Sequence, residues 1–397
     1  MASESAKQKR LLELDLLRAL AIIMIVIAHT VYFVTTPLLI GAITELFPYL
    51  AIFGLSLFFF ISGFVLYYSH DRIETTADVL AFWKKRMMRI YPLYWLALVS
   101  FFVLETYHIG MNVDISLSGI LIQLSGLQSL LAPRFIDPVS IVWFVGVIVI
   151  FYLIYPLIVY PSRDGAHLIL ASCAVLLPFV VMRLAFDIVD FRFFMYYGIF
   201  VAGILASKYR VTYKWSPQPR FLCLGSAVLI ALLSLIRYVP ILEQAASAAA
   251  NGYLFNGYGQ FFSYNPGELP LLLSLIILLN IVALLFIYVA FVAARLYSPS
   301  LNRVLLSLLL LIAYASYSIY LFHVQVFACV SVLVTHLHLG IIQADVTLIL
   351  LAYPLILGFA YFMARGESYI ATRIRKIREE VQSGPEMIAA SSRKSRI

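Results

Sequence analysis

Arg18 and His29 stand eleven residues apart in the first apolar run of the chain, LLRALAIIMIVIAHTVYFV. Eleven residues at about 100° each make three turns plus roughly 20°, so on a helix both side chains project from one face. At 1.5 Å per residue, about 16 Å separates them along the axis. An ionisable residue inside a membrane span costs at least about 2.5 kcal/mol for Arg and marks a functional site by default. Arg18 is near enough to the start of the run to reach the interface. His29 lies roughly 20 Å in, about two-thirds across a hydrocarbon core of about 30 Å. One face thus offers a cation near its entry and a base deep within. The alternative for His29 is a neutral imidazole bonded to a helix carbonyl or a Ser.

This offset suits a long anionic donor that enters at the cation and carries its reactive end inward. Acyl-coenzyme A has that form, with phosphates at one end and a thioester at the other. His29 would be the general base, taking the proton of an acceptor hydroxyl as it attacks the thioester carbonyl. That role needs a neutral imidazole, the form burial favours. Arg86 and Arg89, three apart in AFWKKRMMRIYP, add guanidinium groups that bind phosphate oxygens through paired hydrogen bonds. Their alternative is anchoring of a helix end at the cytoplasmic surface. No Ser-His-Asp or Cys-His pairing follows from spacing, so direct transfer is simpler than a covalent intermediate.

His323, in YASYSIYLFHVQ, is the second intramembrane histidine. His70 and His167 fall in loops on the cytoplasmic side and read as solvated; His108, His336 and His338 fall near the outer interface. The His336-x-His338 pair has no acidic or Cys neighbour in sequence, and no metal is expected. Cys173, Cys223 and Cys329 sit in apolar segments without paired spacing and read as small core residues.

The elements that must hold these groups are membrane helices. Of 397 residues, 63% are hydrophobic and only 12% charged, against about 25% charged in an ordinary soluble domain. The mean hydropathy is +0.97. The first run follows KQKR like a signal peptide, but it has no small-residue cleavage site and a second span comes at once, so it is read as retained. The sequence predicts an all-α polytopic membrane protein with ten spans: 16–34, 46–68, 90–107, 141–160, 168–186, 192–207, 220–239, 270–294, 304–334 and 342–364.

With both termini cytoplasmic, the inner loops collect Lys7 to Arg10, Arg72 and Lys84 to Arg89, Arg163, Lys208 to Arg220, Arg295, Arg303 and the tail RIRKIR. Only Arg134, Arg183, Arg192 and Arg237 fall outside. Counting 115–131 as an eleventh span would invert half of these clusters, so that segment is expected to be re-entrant or interfacial. The net charge of +8 therefore reports topology, not nucleic-acid binding. The expected organisation is a cytoplasmic segment 1–15, a membrane domain 16–364, and a basic cytoplasmic tail 365–397 that loses order after about 380. The outer loop 240–269, with NGYLFNGYGQFFSYNPGE, offers aromatic faces and amides suited either to sugar contact or to an interfacial belt.

Read together, the motifs resemble the integral-membrane acyltransferase family 3, which includes O-acyltransferases of cell-envelope glycans. LDLLRALAIIMIVIAH (14–29) resembles the family's opening motif, and FFFISGFVLYYS (58–69) its second helix. KKRMMRIYPLYWLAL (84–98) is similar to its Arg-x-x-Arg followed by Tyr-Pro. WFVGVIVIFYLIYPL (143–157) and SYSIYLFH (316–323) resemble its Trp-containing helix and its late histidine segment. The resemblance implies cytoplasmic acyl-CoA, often acetyl-CoA, as donor and an extracytoplasmic carbohydrate or lipid-linked glycan as acceptor, in the plasma membrane. It puts the catalytic role on His29 and donor binding on Asp15, Arg18, Arg86 and Arg89, Asp15 orienting Arg18 or capping the helix start. Tyr91, Trp143 and His323 are further candidates to line the cavity. Ile148 stands where many members have a Glu, so any role of that carboxylate is either missing here or supplied by another residue such as Glu105, Asp114 or Asp137 at the outer face. The rival expectation is a transporter or flippase of a glycan or anionic lipid, since intramembrane Arg and His also mark substrate paths.

Overall fold

The computed structural model describes residues 11–71, 73–106, 116–132, 139–160, 162, 164–215, 218–238 and 269–394. Among them there are helices and turns and no strand. Each of the ten apolar segments forms a helix: α1 (Leu12–His29), α2 (Pro37–Ser69), α3 (Thr76–Thr106), α6 (Trp143–Val159), α7 (Gly165–Phe186), α8 (Phe191–Lys208), α10 (Pro219–Tyr238), α11 (Leu269–Tyr297), α12 (Arg303–Thr335) and α13 (Ile341–Lys394). Between them lie the short helices α4 (Leu117–Ser125), α5 (Gln128–Leu131) and α9 (Val211–Lys214). Seven of the described helices are long and apolar enough to cross a membrane; the apolar stretches Trp143–Val159 of α6 and Pro219–Ser234 of α10 are shorter.

Large apolar side chains cover the outside. Leu170, Leu177 and Leu184 recur every seven residues along α7 and are all exposed, the pattern of a helix whose broad face meets lipid. The three cysteines depart from expectation here, because Cys173, Cys223 and Cys329 are exposed. In a bilayer the outward face is as apolar as the core, so hydrophobic context does not predict burial.

The interior is set by α1, α2, α8 and α12. α2 and α8 cross at two glycines: a Cβ on Gly63 would run into the Phe200 carbonyl, and one on Gly203 into the Phe60 carbonyl. Small residues allow this close backbone approach where no hydrophobic force draws helices together. Beside the crossing, Phe59, Phe144, Phe151, Tyr196 and Phe200 form a ring cluster with centroids 4.6 to 5.2 Å apart, each such pair contributing about 0.5–1.5 kcal/mol beyond area burial. Glu13 at the start of α1 accepts from Arg295 Nε at 2.9 Å, and Arg295 also donates to the carbonyls of Thr212 and Trp215. This ties α1, α9 and α11 at one end of the bundle.

Within segment 115–131, residues 117–131 form two short helices, α4 and α5, broken at Gly126 in the left-handed conformation (φ 69°). Nine residues of α4 reach only about 14 Å, too short to cross. Its C-terminal carbonyls would be orphaned in hydrocarbon. Instead α3 satisfies them: Tyr94 Oη donates to Gln123 O at 2.7 Å, Trp95 Nε1 to Leu124 O at 3.0 Å, and Tyr91 Oη to Ser125 O. After the break, Ser129 Oγ donates to Trp143 O at 3.0 Å. The segment is thus built into the middle of α3 and the start of α6.

Candidate active site

α1 starts with Leu11 as a cap that supplies no side chain. Asp15 is one turn in and buried, and it accepts from Arg18 Nη1 at 3.1 Å. The contact places Asp15 against the Arg18 guanidinium. Three residues on, i to i+3, is the spacing at which helix neighbours meet.

Arg18 opens into a cavity of about 540 Å³ that Asp15, Arg86 and Arg89 also line. The four residues come from α1 and α3, 68 or more positions apart in sequence. Arg86 is buried, its guanidinium over the rings of Phe82 (5.5 Å) and Tyr152 (5.8 Å). Its Nη2 donates to His70 Nδ1 at 3.2 Å and weakly to Ser69 Oγ at 3.4 Å. Its Nε is buried without a hydrogen-bond partner among the described residues, a donor position that a phosphate oxygen would satisfy. Arg89 is exposed at the cavity wall.

His70 is not a solvated loop residue. It is half-buried at the end of α2, and Tyr155 Oη donates to its carbonyl at 2.7 Å. Burial, with the Arg86 and Lys85 cations beside it, pushes its pKa down to about 4. The neutral ring can therefore accept from Arg86 across the physiological range.

His29 ends α1. Its Nδ1 lies 2.8 Å from Ile25 O. A carbonyl only accepts, so Nδ1 carries the hydrogen and Nε2 keeps its lone pair. The helix-carbonyl alternative is thus realised at one nitrogen and leaves the other for chemistry. His29 lines a second, small cavity of about 30 Å³ with Trp143, Arg192, Tyr196 and Tyr320. Tyr320 lines both cavities, and its hydroxyl donates to Ile141 O at 2.8 Å. His323 is buried behind His29, the ring centroids 4.9 Å apart. Tyr91 packs under Gly126, away from both cavity walls.

Ile148 faces the arginine cavity one turn beyond Phe144. It does not line the His29 cavity. The Glu105 side chain, Asp114, Asp137 and the outer loop 240–268 lie outside the described residues. No group of three or more His, Cys, Asp or Glu suited to a metal occurs among the described residues.

A family match covers residues 11–365, the acyltransferase domain. The chain belongs to acyltransferase family 3. Both cavities and every element around them fall within the matched region, so this membrane acyltransferase carries its arginine cluster and its histidine pair inside the family domain. No curated protein and no solved structure is significantly similar to the acyltransferase.

Sequence reasoning missed Arg192 and Asp190. The charge count had put Arg192 among outer-loop residues, yet it is 2% exposed and borders the His29 cavity. The available signal was Asp-x-Arg at a helix start, where the Asp caps the helix and can turn back on the Arg.

Proposed function

We propose that this acyltransferase moves a short acyl group, acetyl in the simplest case, from cytoplasmic acyl-CoA to a hydroxyl of an extracytoplasmic carbohydrate or lipid-linked glycan, in the plasma membrane. One observation carries the reading: three arginines share a cavity of about 540 Å³, within the range of ligand pockets, and Tyr320 borders both it and the separate cavity of His29. The excess of Lys and Arg at the arginine end supports reading that end as the cytoplasmic one. Arg18, Arg86 and Arg89 hold the donor phosphates, and Asp15 fixes Arg18.

The thioester then passes Tyr320 to His29. The hydroxyl oxygen of the acceptor bonds to the thioester carbonyl carbon while His29 Nε2 takes its proton. The carbon–sulfur bond breaks as the carbonyl re-forms, and the leaving thiolate takes the proton from His29. The small size of the His29 cavity, about 30 Å³ where a water needs roughly 10–15 Å³, favours a two-carbon acyl group over a long one.

The test is transfer of label from [14C]acetyl-CoA to envelope glycan in membranes carrying the full chain or His29→Ala at equal expression. The expected loss is about 10²- to 10⁴-fold, the range of a general base. Transfer by His29→Ala at the wild-type rate removes His29 as base.

A further inference from the structure

Among the described residues, Arg192 is the one guanidinium in the lining of the His29 cavity, and the acyl-transfer reading above gives it no task. It sits in the second turn-forming position of α8, where Asp190 caps the helix by accepting from Arg192 N at 2.8 Å. The same carboxylate takes Arg192 Nε at 2.9 Å to each oxygen and also receives Nη2. The guanidinium lies over the Trp143 ring at 4.2 Å. Asp190 is itself held by the broken segment, its N donating to Ser129 O at 2.7 Å, while Val189 N donates to Leu130 O at 2.9 Å. Ser129 in turn fixes the Trp143 carbonyl. Helices α5, α6 and α8 therefore converge to hold one cation still at the wall of the reacting cavity.

Burying such a pair is expensive, and a well-packed apolar substitute serves stability as well or better. A charge retained there, preorganised and shielded from water, is what stabilises a developing negative charge. Resting on the acyl-transfer reading, we infer that Arg192 is a further catalytic residue, the cation that faces the oxyanion formed on the acyl carbonyl. When the acceptor oxygen adds to that carbon, the carbonyl electron pair moves onto its oxygen. The guanidinium opposes that charge while His29 holds the hydroxyl proton. The pair returns to carbon as the carbon–sulfur bond breaks and the thiolate takes the proton from His29. Asp190 is a positioning residue for Arg192 and does not meet substrate.

The experiment compares the full-length wild type, Arg192→Gln, and the double variant Asp190→Asn/Arg192→Gln in membranes. The double variant removes both charges together and so avoids a lone buried carboxylate. Label transfer from [14C]acetyl-CoA at saturating donor is read beside thermal stabilisation of the solubilised protein by acetyl-CoA. The expected result is transfer down by about 10²- to 10³-fold, with acetyl-CoA stabilisation kept, because the arginine cavity is separate. A double variant that transfers at the wild-type rate, or one that cannot accumulate as folded protein, overturns the assignment and leaves the pair as a structural lock. Wild type that neither transfers label nor responds to acetyl-CoA is a different outcome, since it removes the acyl-CoA reading on which Arg192 rests.

Discussion

His29 and His323 meet edge to face with ring centroids 4.9 Å apart and an interplanar angle of 76°, and each commits Nδ1 to carbonyls of its own helix. For His323 these are Tyr320 O at 2.8 Å and Ile319 O at 3.0 Å. Both rings therefore present a lone pair at Nε2, and that of His323 has no hydrogen-bond partner among the described residues. Among the described residues no carboxylate lines the His29 cavity, and the His323 imidazole is a titratable ring packed against His29. The Nδ1–H that an Asp would hold in a Ser-His-Asp arrangement is held here by the Ile25 carbonyl, so His323 is a packed neighbour of the ring and not its Nδ1 partner.

His323→Phe keeps a ring of similar size and removes the lone pair. It is expected to lower label transfer about tenfold, which is roughly 1.4 kcal/mol of barrier, with acetyl-CoA stabilisation intact. The turnover and the donor affinity, measured separately, decide it. A His323→Phe enzyme with unchanged turnover reduces His323 to packing.

The donor cavity gives a different split. Arg86→Ala and Arg89→Ala each remove a guanidinium from the wall but leave His29 in place. Each variant should weaken acetyl-CoA stabilisation, and the double variant should abolish it, since ligand stabilisation falls as affinity falls. Arg86→Ala should cost more than Arg89→Ala, because Arg86 is buried with an unpartnered Nε and Arg89 is exposed. Thermal melts across an acetyl-CoA titration read both. A coenzyme A response equal to wild type in the double variant moves the donor phosphates elsewhere.

The contrast between these sites shows what a sequence can express about a membrane enzyme. Arg18 and His29 were legible because charge in an apolar run has a cost large enough to demand a reason, and the helix period fixed their common face. Arg86 and Arg89 were legible as a basic pair three residues apart, but only the cavity brings them to Arg18. The ten helices followed from apolar length. Burial did not, because lipid-facing and inward-facing surfaces are alike in composition, as Cys173, Cys223 and Cys329 illustrate. Arg192 was missed and His70 misread for a related reason: a charged or polar residue at a helix end carries no sign of burial in sequence, and only tertiary contact reveals a cation over Trp143 or a histidine against Arg86.

His70 makes a prediction in pH. Its ordinary pKa is 6.5 and its folded value about 4, so the unfolded chain binds a proton that the folded chain refuses between those two values. More protons on the unfolded state means stability rises with pH. The folded state should therefore lose stability as pH falls from about 6.5 towards 4 and gain nothing further above that window. His70→Gln can still accept from Arg86 but does not titrate. It should flatten that part of the profile, and melting temperature of the solubilised protein from pH 4.5 to 7.5 is the measurement. An identical slope in both proteins assigns the proton uptake to another group.

Gly63 and Gly203 carry the last prediction, on stability alone. Each faces a backbone carbonyl of the opposite helix, Phe200 and Phe60 respectively, and backbone cannot swing aside as a side chain does. Alanine at either position must push α2 and α8 apart. Inserting even one methyl into a packed interface costs about 1–3 kcal/mol. Tyr196 and Phe59, stacked with centroids 4.7 Å apart, stand on the same two helices, so the displacement also reaches the wall of the His29 cavity. Gly63→Ala and Gly203→Ala should therefore lower melting temperature and transfer together, and the double variant should cost less than the sum, because one separation of the helices relieves both clashes. Gly41, whose Cβ position meets nothing within 4 Å, is the control. If Gly63→Ala melts with Gly41→Ala and wild type, the close crossing of α2 and α8 is wrong.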